Sequence, residues 1–422
     1  MKLLHTADIH LGYETHGRLD PETGLNSRLQ DFARSFDFMV ERAVTEDVDL
    51  FLFCGDAYRT ADPTPTQQKL FAECLRPVAA AGIPIVMIVG NHDHPVSYGK
   101  ASSVDIFGYL SGDVRIFRRP TFCAPGQECP PIETKSGPLQ LVALPWPIRS
   151  MLLSRTEHRK KTPEEIRTFI EELYIDFIAK AAEELDPALP AIVAGHFSVQ
   201  GAEVGGSERT SLIAHEPKFT VGQLTPQGID YVALGHIHKY QDRNLDAFQR
   251  GDGPPVVYPS SLERISFKEH DADKGFVLVD IATADGRKKT TYEFVPTPAR
   301  RFLPIEIDAR NSDDPTGTIV GKIRMQDVRD AVVRVRYQID EAQVPQVDVR
   351  AIRDALVDAD TVAAIERVVD PAERKRTTVV QRDATLKDAL AQYVAQHENL
   401  TSLKDDLLAA ALEIEQEVEA KG

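Results

Sequence analysis

Five stretches of the chain end a hydrophobic run on residues that bind metal ions or move protons. In IPIVMIVGNHDH (residues 83–94) an apolar run stops at Gly90 and delivers Asn91, His92, Asp93 and His94 in succession. LLHTADIH (residues 3–10) ends on Asp8 and His10, LFLFCGD (50–56) on Asp56, AIVAGH (191–196) on His196, and YVALGHIH (231–238) on His236 and His238. A single His or Asn after a strand reads best as a solvated loop residue; the same device repeated along the chain argues for one shared site. Asp8, His10, Asp56, Asn91, His196, His236 and His238 offer carboxylate, amide and imidazole groups and no thiolate. That set suits Mn, Fe or Zn and argues against a structural zinc site. It is too large for one ion and fits two. Two ions about 3.5 to 4 Å apart, bridged by one carboxylate, can clamp the attacking and leaving oxygens of a phosphoryl displacement.

The elements that must position these groups follow from pattern. Continuous β-branched runs bounded by Pro84 and Gly90 read as strands buried on both faces, as in a parallel sheet, and such strands present ligands at their carboxyl ends. Glycine before the polar residue lets backbones approach closely. Residues 26–46 carry Leu29, Phe32, Phe36, Met39, Val40 and Ala43 at helical spacing, and residues 66–80 repeat it with Leu70, Phe71, Cys74 and Leu75. Strand, helix, strand, helix, strand is the alternation of an α/β sheet, with the ligands along one edge.

The ordered set DxH, GD, GNHD, GH and GHxH, here Asp8 to His10, Gly55-Asp56, Gly90 to Asp93, Gly195-His196 and Gly235 to His238, resembles the calcineurin-like metallophosphoesterase superfamily over the first two thirds of the chain. Within it the chain is similar to the SbcD nucleases, the catalytic half of the SbcC–SbcD double-strand-break repair complex. MKLLHTADIHLG, GDAYRT, VGNHDHP, ALGHIHKYQ, YPSSLERISFKE (258–269) and KGFVLVDI (274–281) carry that similarity. The resemblance implies an α/β fold: a four-layer α/β/β/α sandwich metallophosphoesterase domain, a small α+β capping domain and a C-terminal helical hairpin. It implies two Mn²⁺, with Mg²⁺ or another divalent metal as substitutes. One ion would take Asp8, His10, Asp56 and His238, and the other Asp56, Asn91, His196 and His236. His92 would be the catalytic histidine and no ligand, donating a proton to the leaving 3′ oxygen, and Asp93 would orient it. Some relatives carry a second active-site histidine where this chain has Arg59, a cation able to contact the DNA phosphate.

Residues 101–147 show short strands ending at PWP, where Trp146, the only tryptophan, reads as a packed aromatic. Arg155, His158, Arg159, Lys160 and Lys161 form a basic run before a helix over 163–185. With Arg115, Arg118 and Arg119 they are the candidate phosphate contacts, Arg159 and Lys160 foremost. SVQGAEVGGSER (198–209) is a glycine-rich loop, and residues 254–295 read as strands of the second sheet. Cys54 and Cys74 read as core fillers, while Cys123 and Cys129 read as free thiols. Prolines mark a boundary near Pro298. Residues 1–298 form the nuclease domain, 299–371 the αβ capping domain, 372–384 a linker, and 385–422 a pair of amphipathic helices. The resemblance makes those helices the dock for an SbcC-type coiled-coil ATPase, and it implies a homodimer.

Composition describes an ordinary soluble chain of 422 residues, 42% hydrophobic and 27% charged. No apolar run approaches the roughly 20 residues that span a membrane. The first residues read as a core strand and not a signal peptide, so a cytoplasmic location is expected. A formal net charge of −16 runs against tight nucleic-acid binding by the chain alone. The function implied is a Mn-dependent DNA phosphodiesterase, a 3′-5′ double-strand exonuclease and single-strand endonuclease. A small-molecule phosphoesterase and an ATPase-tethered scaffold are the alternatives.

Overall fold

The computed structural model describes residues 1–95, 99–109, 111–147, 161–206, 216–284, 287–370, 385–395, 400 and 403–419. Side chains alternate between the faces of a strand, so a strand covered on both sides must be apolar throughout. In β1 (Lys2–Thr6) Leu3 enters one core and Leu4 another. In β2 (Leu50–Phe53) Leu50 and Leu52 share the core of Leu3, while Phe51 and Phe53 share that of Leu4. The connecting helix α1 (Ser27–Thr45) begins at Asn26, whose side chain accepts from the Arg28 N–H. Its buried stripe of Leu29, Phe32, Phe36, Met39, Val40 and Ala43 lies in the core of Phe51. Helix α2 (Pro65–Ala80) starts with a Thr64/Gln67 capping box and Pro65 in its first turn. It leads into β3 (Ile85–Ile88), and β4 (Val114–Phe117) follows beside it.

A second sheet begins with β5 (Thr121–Cys123), β6 (Ile132–Thr134) and β7 (Gly137–Leu144). Helix α3 (Pro163–Glu183) precedes β8 (Ala191–His196), then β9 (Ser198–Val199), β10 (Lys218–Phe219) and the short α4 (Val221–Leu224). Strand β11 (Tyr231–Gly235) is followed by β12 (Gln241–Asp242), α5 (Leu245–Arg250) and β13 (Val256–Tyr258). The order is β12-β13-β11-β8-β7-β5, with β6 on β7. Ile166, Ile170, Tyr174 and Ile178 of α3 cover its outer face against Val142, Val193 and Val232. Leu141, Ile192 and Ala233 meet Leu3, Leu50 and Leu52 between the sheets. Helix, sheet, sheet, helix are the expected four layers.

The structure corrects one assignment. Of the strands in 254–295 only β13 joins the second sheet; β14 (Gly275–Ala284) lies antiparallel on β1 and β15 (Arg287–Pro296) on β14, giving the first sheet the order β15-β14-β1-β2-β3-β4. Val277, Val279 and Ile281 face the core between the sheets, whereas Phe276 and Leu278 face that of α1. A two-sided strand fits beside the two-sided β1, and local periodicity does not name its neighbour. Cysteine gives a second correction: Cys123 and Cys129 form a disulfide and are not free thiols. A β-bridge between these two residues brings their Cα atoms to 4.5 Å, within the span a disulfide needs. Cys54 and Cys74 are buried free thiols.

Contacts divide the chain into two compact units, residues 1–307, 316–337 and 348–367 in one and 308–315, 338–347 and 368–422 in the other. Beyond Pro298 come β16 (Phe302–Asp308), α6 (Pro315–Arg324), β17 (Val332–Asp340), α7 (Val349–Asp354) and β18 (Thr361–Asp370), with sheet order β16-β17-β18. The tail carries α8 (Leu386–Ala395) and α9 (Lys404–Glu419), which pack on each other. The expected linker, 372–384, lies outside the described residues. Among the described residues no helix is long and apolar enough to cross a membrane.

Within the first unit a buried ion network joins α1 to the 258–269 segment and to Arg300. Arg28 reaches Asp31 at 2.6 Å and Glu263 at 3.1 Å, and Asp31 binds Arg300 Nε at 3.0 Å. Glu263 also accepts from Ser35 Oγ at 2.9 Å and from the Arg300 N–H at 3.0 Å.

Candidate metal centre

Where the parallel strands end, their loops stay bonded to one another. The Asp8, His10 and Leu11 N–H groups donate to the carbonyls of Gly55, Asp56 and Ala57 at 2.9 to 3.0 Å. Asp8, His10, Asp56 and His236 all adopt positive φ, from 51° to 97°. Each such L-residue stores about 1 to 3 kcal/mol of strain, which the surrounding structure must over-determine. Gly55 has φ +93°, and a Cβ there would strike the His196 ring. A Cβ on Gly90 would overlap the Asp56 carboxylate and backbone. Asp93 ties these loops down: its carboxylate accepts from the N–H groups of Asp56, Ala57 and Gly90, each at 2.9 Å.

The side chains converge from both sheets. Asp8, His10 and Asp56 come from the first sheet and His196, His236 and His238 from the second, all buried. The Asp8 carboxylate accepts the His236 N–H at 2.9 Å, crossing from sheet to sheet. His10 Nε2 lies 2.9 Å from His238 Nε2, 3.8 Å from Asp8 and 3.6 Å from Asp56. His196 donates Nδ1–H to the Cys54 carbonyl at 2.7 Å, which turns Nε2 toward Asn91 Oδ1 at 2.9 Å and Asp56 Oδ2 at 3.4 Å. His236 Nδ1 meets the same Asn91 oxygen at 3.1 Å. Groups able to hold a metal ion are Asp8 with His10 and His238, Asp8 with Asp56 and His196, and His10 with Asp56 and His92. The last includes the histidine read as a non-ligand.

Electrostatics fit a cation here. Burial raises the Asp8 carboxyl, against the pull of His238 and His196. Burial alone would depress His196, yet Asp56, Asp8 and the Cys54 carbonyl push it up to about 9. His10 is driven well below the usual imidazole value by burial and by His238. Two Nε2 atoms face each other while the buried His10 Nδ1 has no partner. Imidazole lone pairs and carboxylates aimed at one small volume suit divalent cations, which the donor set holds without thiolate.

Other expected residues fall differently. Asp93 does not touch the His92 ring; it is committed to backbone N–H groups, and His92 Nδ1 instead meets the Arg59 carbonyl at 2.7 Å. The Arg59 guanidinium lies 5.0 Å over the Tyr13 ring, exposed beside the site. His94 is half-buried, and burial lowers it to about 4. Trp146 packs with its ring 5.1 Å from that of His236. Arg115 binds Asp113 and Arg118 binds Asp105, each at 3.0 Å, so both guanidinium groups are engaged within the fold. Lys161 lies over the Phe169 ring. Arg155, His158, Arg159 and Lys160 lie outside the described residues.

Two carboxylates escaped the sequence. Glu216 meets His236 Nε2 at 2.8 Å and Glu269 meets His238 Nδ1 at 3.2 Å, each on the nitrogen that faces away from the cluster. Glu269 sits in YPSSLERISFKE, which marked a family resemblance without indicating a role. Glu216 had no signal beyond following the glycine-rich loop.

The chain is similar in sequence to known proteins. The sequence model of the calcineurin-like phosphoesterase family matches residues 1–240. The SbcD component of nuclease SbcCD from Bacillus subtilis is 30% identical over 291 residues, 66% of this chain and 66% of that one. Its Escherichia coli namesake is 26% identical, covering 57% of each chain. The DNA double-strand break repair protein Mre11 of Aeropyrum pernix is 25% identical over 73% of this chain and 63% of its own. The match thus spans less than two thirds of the length of these relatives. With more than half of its length matched and the cluster drawn from the strand ends that the family motifs occupy, the chain belongs to the calcineurin-like phosphoesterase family.

Proposed function

We propose that this chain is a Mn²⁺-dependent DNA phosphodiesterase, the nuclease component of an SbcC–SbcD-type complex acting in double-strand-break repair. The observation that carries it is the convergence of Asp8, His10, Asp56, Asn91, His196, His236 and His238 where the two sheets meet, with His92 on the open side. One ion would be held by Asp8, His10, Asp56 and His238, the other by Asp56, Asn91, His196 and His236. When bound, two such cations supply positive charge to the phosphodiester oxygens and lower the pKa of an attacking water.

The chain's own residues do the rest. His92 Nδ1–H donates to the Arg59 carbonyl, and the ring acts as general acid in its doubly protonated form, the Nε2 proton passing to the leaving 3′ oxygen while Nδ1 keeps its own. Asp93 acts one step further out, holding the Asp56 and Gly90 loops. Arg59, exposed beside Tyr13, offers a cation to the DNA phosphate; Arg159 and Lys160, outside the described residues, are the other phosphate contacts of this reading. Both exonuclease action from 3′ ends and endonuclease action on single strands belong to this reading. So do a homodimer, a cytoplasmic location and docking of an SbcC-type ATPase by the helices beyond residue 385. The net charge of −16 makes DNA binding by the isolated chain weak and salt-sensitive.

The test is cleavage of end-labelled duplex DNA with Mn²⁺ by the native chain, His92→Ala and Asp56→Ala, beside a generic phosphomonoester. The native chain is expected to degrade DNA and neither variant to cut, with His92→Ala still binding metal. Cleavage of the small ester alone would replace this reading with that of a small-molecule phosphoesterase.

A further inference from the structure

His238 is held from behind by two opposite charges with no access to solvent. The side chains of Glu269 and Lys274 are both fully buried and lie 3.1 Å apart. Glu269 Oε2 also accepts the Ile265 N–H at 2.9 Å, and Oε1 meets His238 Nδ1 at 3.2 Å. Lys274 Nζ donates to the His238 carbonyl at 3.0 Å and to Ser261 Oγ at 2.9 Å, and Ser260 Oγ donates to the same carbonyl at 2.8 Å. Stability alone does not account for such a pair, because apolar side chains of similar volume do as well or better in its place. What the pair does that apolar groups cannot is grip both ends of His238, its ring and its carbonyl.

The chemistry of the grip is one-directional. An ionised carboxylate between an ammonium and an N–H is an acceptor only. Nδ1 of His238 must therefore carry a proton, which in the neutral ring leaves the lone pair on Nε2. That lone pair points into the cluster, 2.9 Å from His10 Nε2 and 3.8 Å from Asp8 Oδ1. A carboxylate behind a ligating imidazole fixes its tautomer and raises its basicity, and removing such a partner weakens metal affinity by about 10- to 100-fold. We infer that Glu269, anchored by Lys274, is the positioning residue that fixes the ring and tautomer of His238 for a divalent cation. The inference rests on the two-metal reading above and assigns a task to the segments at 258–269 and 274–281.

Co²⁺ titration of the chelator-stripped full-length chain, followed by calorimetry and visible absorption, tests it. The native chain is expected to bind two Co²⁺. Glu269→Gln should weaken one of them by about 10- to 100-fold and alter its visible bands, leaving the other unchanged. Because this variant strands the Lys274 ammonium, Glu269→Gln/Lys274→Met is measured with it. The double variant should regain the melting temperature of the metal-free native chain and keep the weakened site, an outcome that a purely structural pair would not give. Native Co²⁺ affinity and spectrum in either folded variant would overturn the role of Glu269 and leave the two-metal reading intact. Failure of the native chain to bind Co²⁺ would overturn both. Should neither variant fold, imidazole ¹⁵N shifts of the native chain decide: a His238 proton on Nδ1 supports the inference and one on Nε2 refutes it.

Discussion

Glu263→Gln isolates the buried network that ties α1 to the 258–269 segment and Arg300. In the native chain one Glu263 oxygen receives Arg28 Nη2 at 3.1 Å, and the other receives Ser35 Oγ at 2.9 Å and the Arg300 N–H at 3.0 Å. An amide in its place keeps one acceptor and turns an NH₂ group on a donor. Breaking a buried ion pair by removing one partner costs about 3 to 5 kcal/mol. Arg28 retains Asp31 at 2.6 Å, and Gln retains one oxygen, which places the loss at the lower end, about 3 kcal/mol. Urea unfolding followed by the fluorescence of Trp146 reads it directly. With a slope of about 3 kcal/mol per molar, the midpoint should fall by about 1 M. It should fall as far in 1 M NaCl, because salt screens only charges that solvent reaches. Glu73→Gln is the control: Glu73 pairs with Lys69 at 3.6 Å with both side chains more than half exposed, and its loss should stay within about 0.5 kcal/mol. A Glu263→Gln loss below about 1 kcal/mol, or one erased by salt, would refute the claim that these charges are locked in the interior.

Three further outcomes are expected. Gly90→Ala should lose about 1 to 3 kcal/mol from overpacking against Asp56 and weaken Co²⁺ binding in the same calorimetric titration. Leu52→Ala, in the core between the sheets, should cost about 2 to 5 kcal/mol in urea unfolding. Asp31 gives a pH dependence: burial would raise its carboxyl, but Arg300, Arg28 and Arg34 hold it below the usual aspartate value. Its contribution is therefore complete above about pH 4 and lost as pH falls through the lower folded value, so Asp31→Asn should flatten the fall of stability in acid when unfolding is followed from pH 7 to pH 2.

What the sequence made legible was what repeats locally. Apolar runs ending in Asp, Asn or His announced the strands and their ends, and the helical spacing over 26–46 and 66–80 placed α1 and α2 to within a residue or two. What stayed hidden depends on partners distant in sequence. Nothing local to 275–284 says that it pairs with β1 and not β13; that follows from which neighbour needs a strand apolar on both faces. Glu216 and Glu269 are ordinary acidic residues until the fold sets them behind His236 and His238. Asp93 stands beside His92 in the chain, yet a neighbour in sequence points elsewhere in a loop, and its carboxylate turned to N–H groups. Cys123 and Cys129 were weighed by compartment and not by the bridge that brings their backbones together.

The pairing of β14 with β1 has a consequence for the order of events in the cell. The first strand leaves the ribosome with one flank open, and its permanent neighbour is Leu278 and Val279, joined to Leu4 and Leu3. Some 270 residues of synthesis separate the two, a delay of roughly ten seconds or more at 5 to 20 residues per second. Asp8 and His10 hang from the end of that unfinished strand throughout. Until β14 arrives, that flank of β1, and with it the strand whose end carries Asp8 and His10, lacks its antiparallel neighbour.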